Sequence, residues 1–493
     1  MALARAFPAY ALWYNPDALG DGGPPLVRPA AEVAARLKEI FPDLDVAATT
    51  QMLASGKPGY LRRRVLPEEV NRINAIGELA LETPAEKDRQ YPQGKLAAHV
   101  LGYVGADGHG RVGMESYLDQ RLLDPAQRGK PAALSIDLRV QGALEDELAA
   151  MMRAVDAVGA AGIVLDVDTG EVLALASLPA FDPNRIDAAG EKNMFNRVTN
   201  QVYELGSTFK PLTVAAAIDA GTVTDLSRRY PATPFPIGGF TIKDLHPKGT
   251  SLNVPEMLIH SSNVVTAHVV EELGAARLKR TMADLGMNER PYIEVPARGF
   301  PIWASGNWPL LRGMTVGYGH GIAVTPLHLA SAYAAMVNGG IWRPTTLMKV
   351  EPGHAPRGRR VFKASTSARM NQLLRMITVY GTGRKADAPG FRVGGKTGSA
   401  EKPSAGGYNR TSLVSTFAAA FPMDKPRYVI IAMMDEPKGT AASSYQRTAA
   451  YTAAPVIAKL VPRIGPMLGV LPDATRDIDL SDLKPLVGDG GGE

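Results

Sequence analysis

Short apolar runs gather at the two ends of one long stretch of this sequence, and their placement limits the possible folds more than any other feature. "GIVLDV" (162–167) and "VLALASL" (172–178) flank "DTGE" and read as a hairpin of two buried strands. Far downstream, "GFRVGGKTGSAEK" (390–402), "SLVSTFAAAF" (412–421) and "YVIIAMMDE" (428–436) read as three more strands, followed by a closing helix, "AAPVIAKLVPRI" (453–464). The residues between them carry helical periodicity. The expected fold class is therefore α+β: an antiparallel sheet between helices, joining the two ends of one domain.

That domain is expected over residues 131–465, opening on the helical pattern "LRVQGALEDELAAMMRAV" (138–155). Ahead of it, residues 1–130 alternate short helical patterns with Pro- and Gly-rich connections such as "GADGHGRVG" (105–113), which suggests an elongated N-terminal accessory module. Behind it, residues 466–493 are polar and end in glycines, so a flexible tail is expected. With 493 residues and 45% apolar content, the chain can build two or more real cores.

Composition excludes several classes of function. Lys and Arg (54) are spread along the chain and nearly balanced by Asp and Glu (49), which gives no footprint for nucleic acid. The absence of cysteine rules out disulfides, thiol catalysis and cysteine-bound metals. Eight histidines show no HExxH spacing, so neither a metal nor a cofactor is expected. The longest apolar stretches, such as "VIIAMM" (429–434), fall far short of the roughly 20 residues that cross a bilayer. The opening "MALARAFPAYALWYNP" (1–16) lacks the apolar centre of a signal peptide.

Three small motifs bear on chemistry. In "GSTFKPLTVAAAID" (206–219), Ser207 precedes Lys210 by three positions, so both fall on one helical face and the lysine can reach the hydroxyl. A plain helix cap explains the same pattern, and Ser481 with Lys484 repeats it in the tail. For catalysis, Lys210 must lose its proton near neutral pH, which requires burial to lower an ordinary pKa of about 10.4 by roughly 3 units or more. In "IHSSNVVTAHVVEEL" (259–273), Ser261 and Asn263 stand at a break between helical runs, although an N-cap pair for the second run explains them equally well and Ser251/Asn253 and Ser305/Asn307 share the spacing. In "GGKTGSAEK" (394–402), Lys396, Thr397 and Gly398 place a cation and a hydroxyl among glycines on an expected strand, beside which a substrate backbone can lie, although a turn between strands explains the same run. His260 reads as a packed or surface side chain, "DEPKG" (435–439) as a turn, and "LRRR" (61–64) as a solvated face.

Taken in order, S-x-x-K, S-x-N and K-T-G resemble the active-site signature of penicillin-binding proteins and serine β-lactamases. The resemblance extends over most of the chain. "RQYPQGKLAAHVLGYVGADGHGRVGMESYLD" (89–119) is similar to the accessory region of class B penicillin-binding proteins. "LSIDLRVQGALEDEL" (134–148) and "DTGEVLALASLPAFDPN" (168–184) look like their transpeptidase opening, and "GYGHGIAVTPLHLASAYAAMVNGG" (317–340) resembles the division-specific, FtsI-type branch. The resemblance implies a D,D-transpeptidase that cross-links stem peptides in septal cell-wall synthesis through a serine acyl-enzyme trapped by β-lactams.

By the same resemblance, Ser207 is the nucleophile and Lys210 its base, with backbone N–H groups of Ser207 and Ser399 forming the oxyanion hole. Ser261 relays a proton with support from Lys396, and Asn263 orients the substrate amide. Thr397, Gly398 and Ser399 bind the substrate. Implied partners are a membrane glycan polymerase of the SEDS type and divisome proteins. The implied location is the periplasmic face of the bacterial inner membrane, with the family's transmembrane anchor lying ahead of Met1 and the chain as given soluble. Two departures stand out: Leu205 replaces the family's usual proline, and Ser399 its usual threonine. A β-lactamase and a penicillin-sensing domain share the three motifs. The long accessory region and the lack of a deacylating Glu motif speak against the first, and the lack of a protease or kinase partner segment against the second.

Overall fold

The structure is a computed structural model and describes residues 1–487 apart from 21–22, 106, 187 and 405–406. It divides into two compact units, Met1–Gly94 with Val104–His109, and Lys95–Tyr103 with the chain from Gly110 onward. The division thus falls well before residue 130, because the short helices after Gly110 belong with the larger unit.

The smaller unit is built on β1 (Arg5–Tyr14), which pairs antiparallel with β2 (Gly59–Val65), β3 (Leu81–Glu82) and β4 (Ala85–Gln90). Helix α1 (Ala30–Ile40) lays Val33, Ala34, Leu37 and Ile40, one face at helical spacing, into a core shared with Leu12 and Tyr14. The basic run 61–64 lies on β2 with Arg63 and Arg64 exposed, and its charges are partnered: Arg62 pairs with Asp43 at 3.0 Å and sits 4.4 Å over the Phe41 ring, while Arg64 pairs with Asp88 at 2.8 Å.

In the larger unit, α2 (Leu138–Ala154) leads into β5 (Gly159–Asp166) and β6 (Val172–Leu178). The helical middle supplies α3 (Lys210–Ala220), α4 (Val254–His260), α5 (Asn263–Leu273), α6 (Pro326–Val337) and α7 (Ala364–Tyr380). The chain returns through β7 (Gly394–Ser404), β8 (Gly407–Phe421) and β9 (Tyr428–Asp435) before α8 (Ala454–Met467). The sheet order is β7-β8-β9-β5-β6, antiparallel throughout, with Ile431 opposite Ile163 where the two ends meet.

The alternation of side chains along these strands explains why they read as unbroken apolar runs. Ile163, Leu165, Ile431 and Met433 face the helical middle, while Val164, Ile430, Ala432 and Met434 face α2 and α8. Both faces are dry. Strand β7 forms one edge of the sheet, and that edge is where the site is built.

The flexible tail expected over residues 466–493 is corrected by the structure for residues 466–487, while 488–493 lie outside the described residues. Val470, Leu483 and Val487 are buried, and Asn253 Nδ2 donates to Leu486 O at 2.7 Å. The anchoring charge lies on α7: Arg375, 8% exposed, grips Asp477 with two nitrogens (3.0 and 2.7 Å) and Asp387 with a third (2.7 Å). The tail's own composition could not reveal this, since its partners lie about a hundred residues upstream. Replacing Asp477 by alanine is expected to cost about 1–2 kcal/mol, a fall of roughly 2–4 °C in the unfolding midpoint. An unchanged melting temperature contradicts this account of the tail.

Candidate active site

Ser207 does not cap a helix. It lies inside a 3-10 turn, Gly206–Phe209, from which α3 continues at Lys210. Gly206 opens the turn at φ +54°, a left-handed conformation that favours glycine. Thr208, Phe209 and Lys210 are buried and hold the turn from beneath, with Tyr333 of α6 donating to Thr208 O at 2.7 Å. Ser207 itself is half-buried, its hydroxyl free of cap duty.

Lys210 points from the first turn of α3 to Ser261, donating to its carbonyl and, at 3.1 Å, to its Oγ. Among the described residues Ser207 Oγ is not one of its partners, so the lysine sits between the two serines' elements with Ser261 as its resting contact. Ser261 closes α4 at φ 62° and ψ 42°, a left-handed setting rare for a residue with a side chain, which turns its hydroxyl toward the lysines. From β7, Lys396 donates to the same Oγ at 3.0 Å and to Thr397 O at 3.0 Å.

Two fully buried amines thus share one hydroxyl. Burial pushes Lys210 well below the ordinary lysine value, the nearby Lys396 charge lowers it further, and Asp244 opposes both. Burial alone brings Lys396 down to about 7. The physical consequence is that both ammonium ions cannot comfortably coexist, and Lys210, repelled as well as desolvated, gives up its proton first. With Lys210 neutral and Lys396 charged, Ser261 Oγ can accept from Lys396 and donate to Lys210, which gives the hydroxyl a direction.

Asn263 opens α5. The cap of this helix is Ser262, whose Oγ accepts from Val265 N at 3.1 Å, so neither Ser261 nor Asn263 is spent on capping. A residue missed in the sequence, Asp244, gathers the helix start: it accepts from Ser262 Oγ (2.6 Å), Asn263 N (2.5 Å) and Val264 N (3.1 Å). Nothing in its local sequence signals this, because a loop after a small hairpin (Phe235–Ile242) brings it in from outside the motif.

Strand β7 meets the Ser207 turn at backbone distance. A Cβ placed on Gly398 lies 2.3 Å from Leu205 O and 2.7 Å from Thr208 Cγ2, which only glycine avoids. Gly398→Val is therefore expected to displace the turn and slow acylation of Ser207 by about 10²-fold or more, read from the rate of covalent labelling. An unchanged rate argues against this contact. Thr397 Oγ1 donates to Thr382 Oγ1 at 3.0 Å, and Ser399 Oγ accepts from Ala449 N at 3.0 Å, which leaves the Ser399 hydroxyl proton available. The run 435–439 is more than a turn: buried Asp435 pairs with Lys402 (2.5 Å) and Arg197 (3.5 Å), tying the ends of β9 and β7 together. His260 is exposed.

All eight residues expected at the site lie in this unit, and Ser261, Lys210, Lys396 and Thr397 form one hydrogen-bonded group. The model of the penicillin-binding protein transpeptidase domain matches residues 160–459. The chain belongs to that family. The penicillin-binding protein dimerisation domain model matches residues 1–169. Among curated relatives, the chain is 38% identical over 471 residues to the probable peptidoglycan D,D-transpeptidase FtsI of Caulobacter vibrioides, covering 94% of this chain and 78% of that protein. It is 28% identical to the peptidoglycan D,D-transpeptidase FtsI of Escherichia coli K12, covering 99% and 86%. These matches make it a class B penicillin-binding protein of the FtsI type. The fold is similar to that of penicillin-binding protein 3 from Mycobacterium tuberculosis in complex with aztreonam, with a TM-score of 0.72 and 28% identity over 79% of this chain and 92% of that one. Among the described residues, no helix of this class B protein is long and apolar enough to cross a membrane.

Proposed function

We propose that the chain is a peptidoglycan D,D-transpeptidase acting through an acyl-enzyme on Ser207 and open to trapping by β-lactams. The observation that carries this reading is the pair of buried lysines on Ser261 Oγ, 3.1 and 3.0 Å away, one of them a turn from a half-buried serine. Ser207 Oγ attacks the carbonyl between two terminal D-alanines, and its proton passes to neutral Lys210. Backbone N–H groups of Ser207 and Ser399 receive the developing oxyanion; losing one such donor typically costs about 10²- to 10³-fold. The C–N bond then breaks as Ser261, fed by Lys210 and backed by the Lys396 charge, passes a proton to the departing D-alanine nitrogen. An amine from a second stem peptide attacks the ester, its proton returns along the same path, and Ser207 is freed as the cross-link forms.

Asn263 orients the substrate amide at the mouth, and Thr397, Gly398 and Ser399 of the edge strand receive the peptide backbone and its terminal carboxylate. The wider setting proposed for it, by its resemblance to the FtsI-type branch, is septal wall synthesis at the periplasmic face of the inner membrane, anchored there, alongside a SEDS-type glycan polymerase and divisome proteins. Acylation is expected to rise with pH as Lys210 deprotonates and to level below the ordinary lysine range, because burial lowers the pKa of a cationic group. A rate that keeps rising to about pH 10 contradicts Lys210 as a buried base.

The test supplies an acyl-D-Ala-D-Ala peptide or a thioester analogue with an amine acceptor such as D-alanine or a dipeptide. Release of the leaving group with formation of the amide product is expected, alongside a penicillin adduct lasting hours. Steady penicillin hydrolysis overturns this reading in favour of a β-lactamase, and acylation without any turnover of the thioester favours a sensor.

A further inference from the structure

Glu204 stands three residues before Ser207, and nothing in the acyl-transfer scheme above uses it. Its side chain is only 11% exposed, and it is tied to a distant segment. Its Oε1 accepts the Gly321 N–H at 2.9 Å, and its Oε2 meets His320 Nδ1 at 3.1 Å. The backbone on either side is laced to the same segment. Tyr203 and Val324 exchange both of their N–H···O bonds at 2.9 Å, and Gly206 N–H donates to Gly319 O at 3.2 Å. The approach is so close that a Cβ on Gly319 lies 2.0 Å from Gly206 O.

Residues 319–324 run directly into α6, which holds the other side of the turn through Tyr333 OH and Thr208 O. One continuous stretch therefore grips the chain both before and after Ser207. Its weak point is its start. Gly319 and Gly321 stand at φ +86° and +71°, backbone settings that no side chain of their own enforces. Glu204 supplies what the glycines lack: its two carboxylate oxygens fix the N–H of Gly321 and the ring of His320 at once. Leu205, the only residue between Glu204 and the turn's opening glycine, has no ring to lock its own φ of −101°.

We infer that Glu204 and His320 form a positioning pair that sets the nucleophile turn, and hence Ser207 Oγ, for attack on the acyl donor. They act through the turn and do not touch the substrate. Misplacement of a reacting atom by about 1 Å can cost about 10²-fold in rate, so loss of the clasp acts on the acylation step, while substrate contacts stay intact.

The test follows acylation of the full chain by a fluorescent penicillin up to saturation, with the melting temperature recorded for each variant. Glu204→Ala is expected to lower the limiting acylation rate about 10- to 100-fold while the half-saturating concentration moves less than about 3-fold. Glu204→Gln, whose amide oxygen still accepts the Gly321 N–H, is expected to return to within about 5-fold of the parent. Adding His320→Ala to Glu204→Ala is expected to cost little more, as for two groups acting as a unit. A lower melting temperature with an unchanged limiting rate overturns the proposal, as does a Glu204→Gln variant as slow as Glu204→Ala. Should Glu204→Ala fail to fold, Glu204→Gln and His320→Ala carry the comparison, and equal limiting rates for both and the parent overturn it. The inference rests on Ser207 as the nucleophile. A parent that never labels defeats that reading, whereas a parent and variants that label equally fast defeat only the positioning pair.

Discussion

Ser207→Ala is expected to remove covalent labelling by penicillin altogether, and with it at least about 10⁴-fold of transpeptidase rate. The expectation is large because no neighbour can substitute. Ser261, the other hydroxyl of the group, is already bound by two lysines, and its backbone is held in a left-handed setting at the end of α4. Ser399 faces Ala449 N with its oxygen. The fold should be untouched, since Ser207 is half-buried and its side chain caps no helix. The melting temperature is expected within about 2 °C of the parent. Residual labelling at more than a per cent of the parental rate contradicts the assignment.

Lys210→Met is expected to slow acylation by about 10³-fold or more, since it removes the proposed base and the proton's proposed route to Ser261 together. The substitution keeps an unbranched apolar stem in a fully buried position and deletes a desolvated amine, so stability should hold or rise. Lys210→Arg sharpens the test. An arginine keeps hydrogen-bond donors but stays protonated, so it is expected to be as inactive as methionine if the lysine works as a base. An arginine variant with near-parental rates instead points to a purely electrostatic role. Both are read as the limiting acylation rate with melting temperatures alongside.

The fold was most legible where burial is two-sided. The runs of β5, β6, β8 and β9 needed no alternation to be read as strands, because each face meets its own core. The three motifs supplied the candidate residues but not the hydrogen bonds among them. From sequence, Lys210 reaches for Ser207; in the structure its resting partner is Ser261. Ser207 reads as a helix cap, yet the chain takes a 3-10 turn there because Gly206 enters left-handed and Gly398 lets β7 press against it. Asp244, Tyr333 and Glu204 were illegible for one shared reason: each acts on a segment outside its own local pattern, 19 residues on for Asp244 and more than 100 away for the other two. The tail failed the same way, its few apolar anchors and acidic groups making sense only against Arg375 and Arg369 on α7.

The most direct test of the central claim is to react the parent chain with a penicillin, digest it, and locate the added mass by peptide sequencing over a day. The account predicts one equivalent of drug, on the peptide that contains Ser207, still present after hours. An adduct on any other serine, or one that vanishes as the drug is steadily hydrolysed, contradicts it.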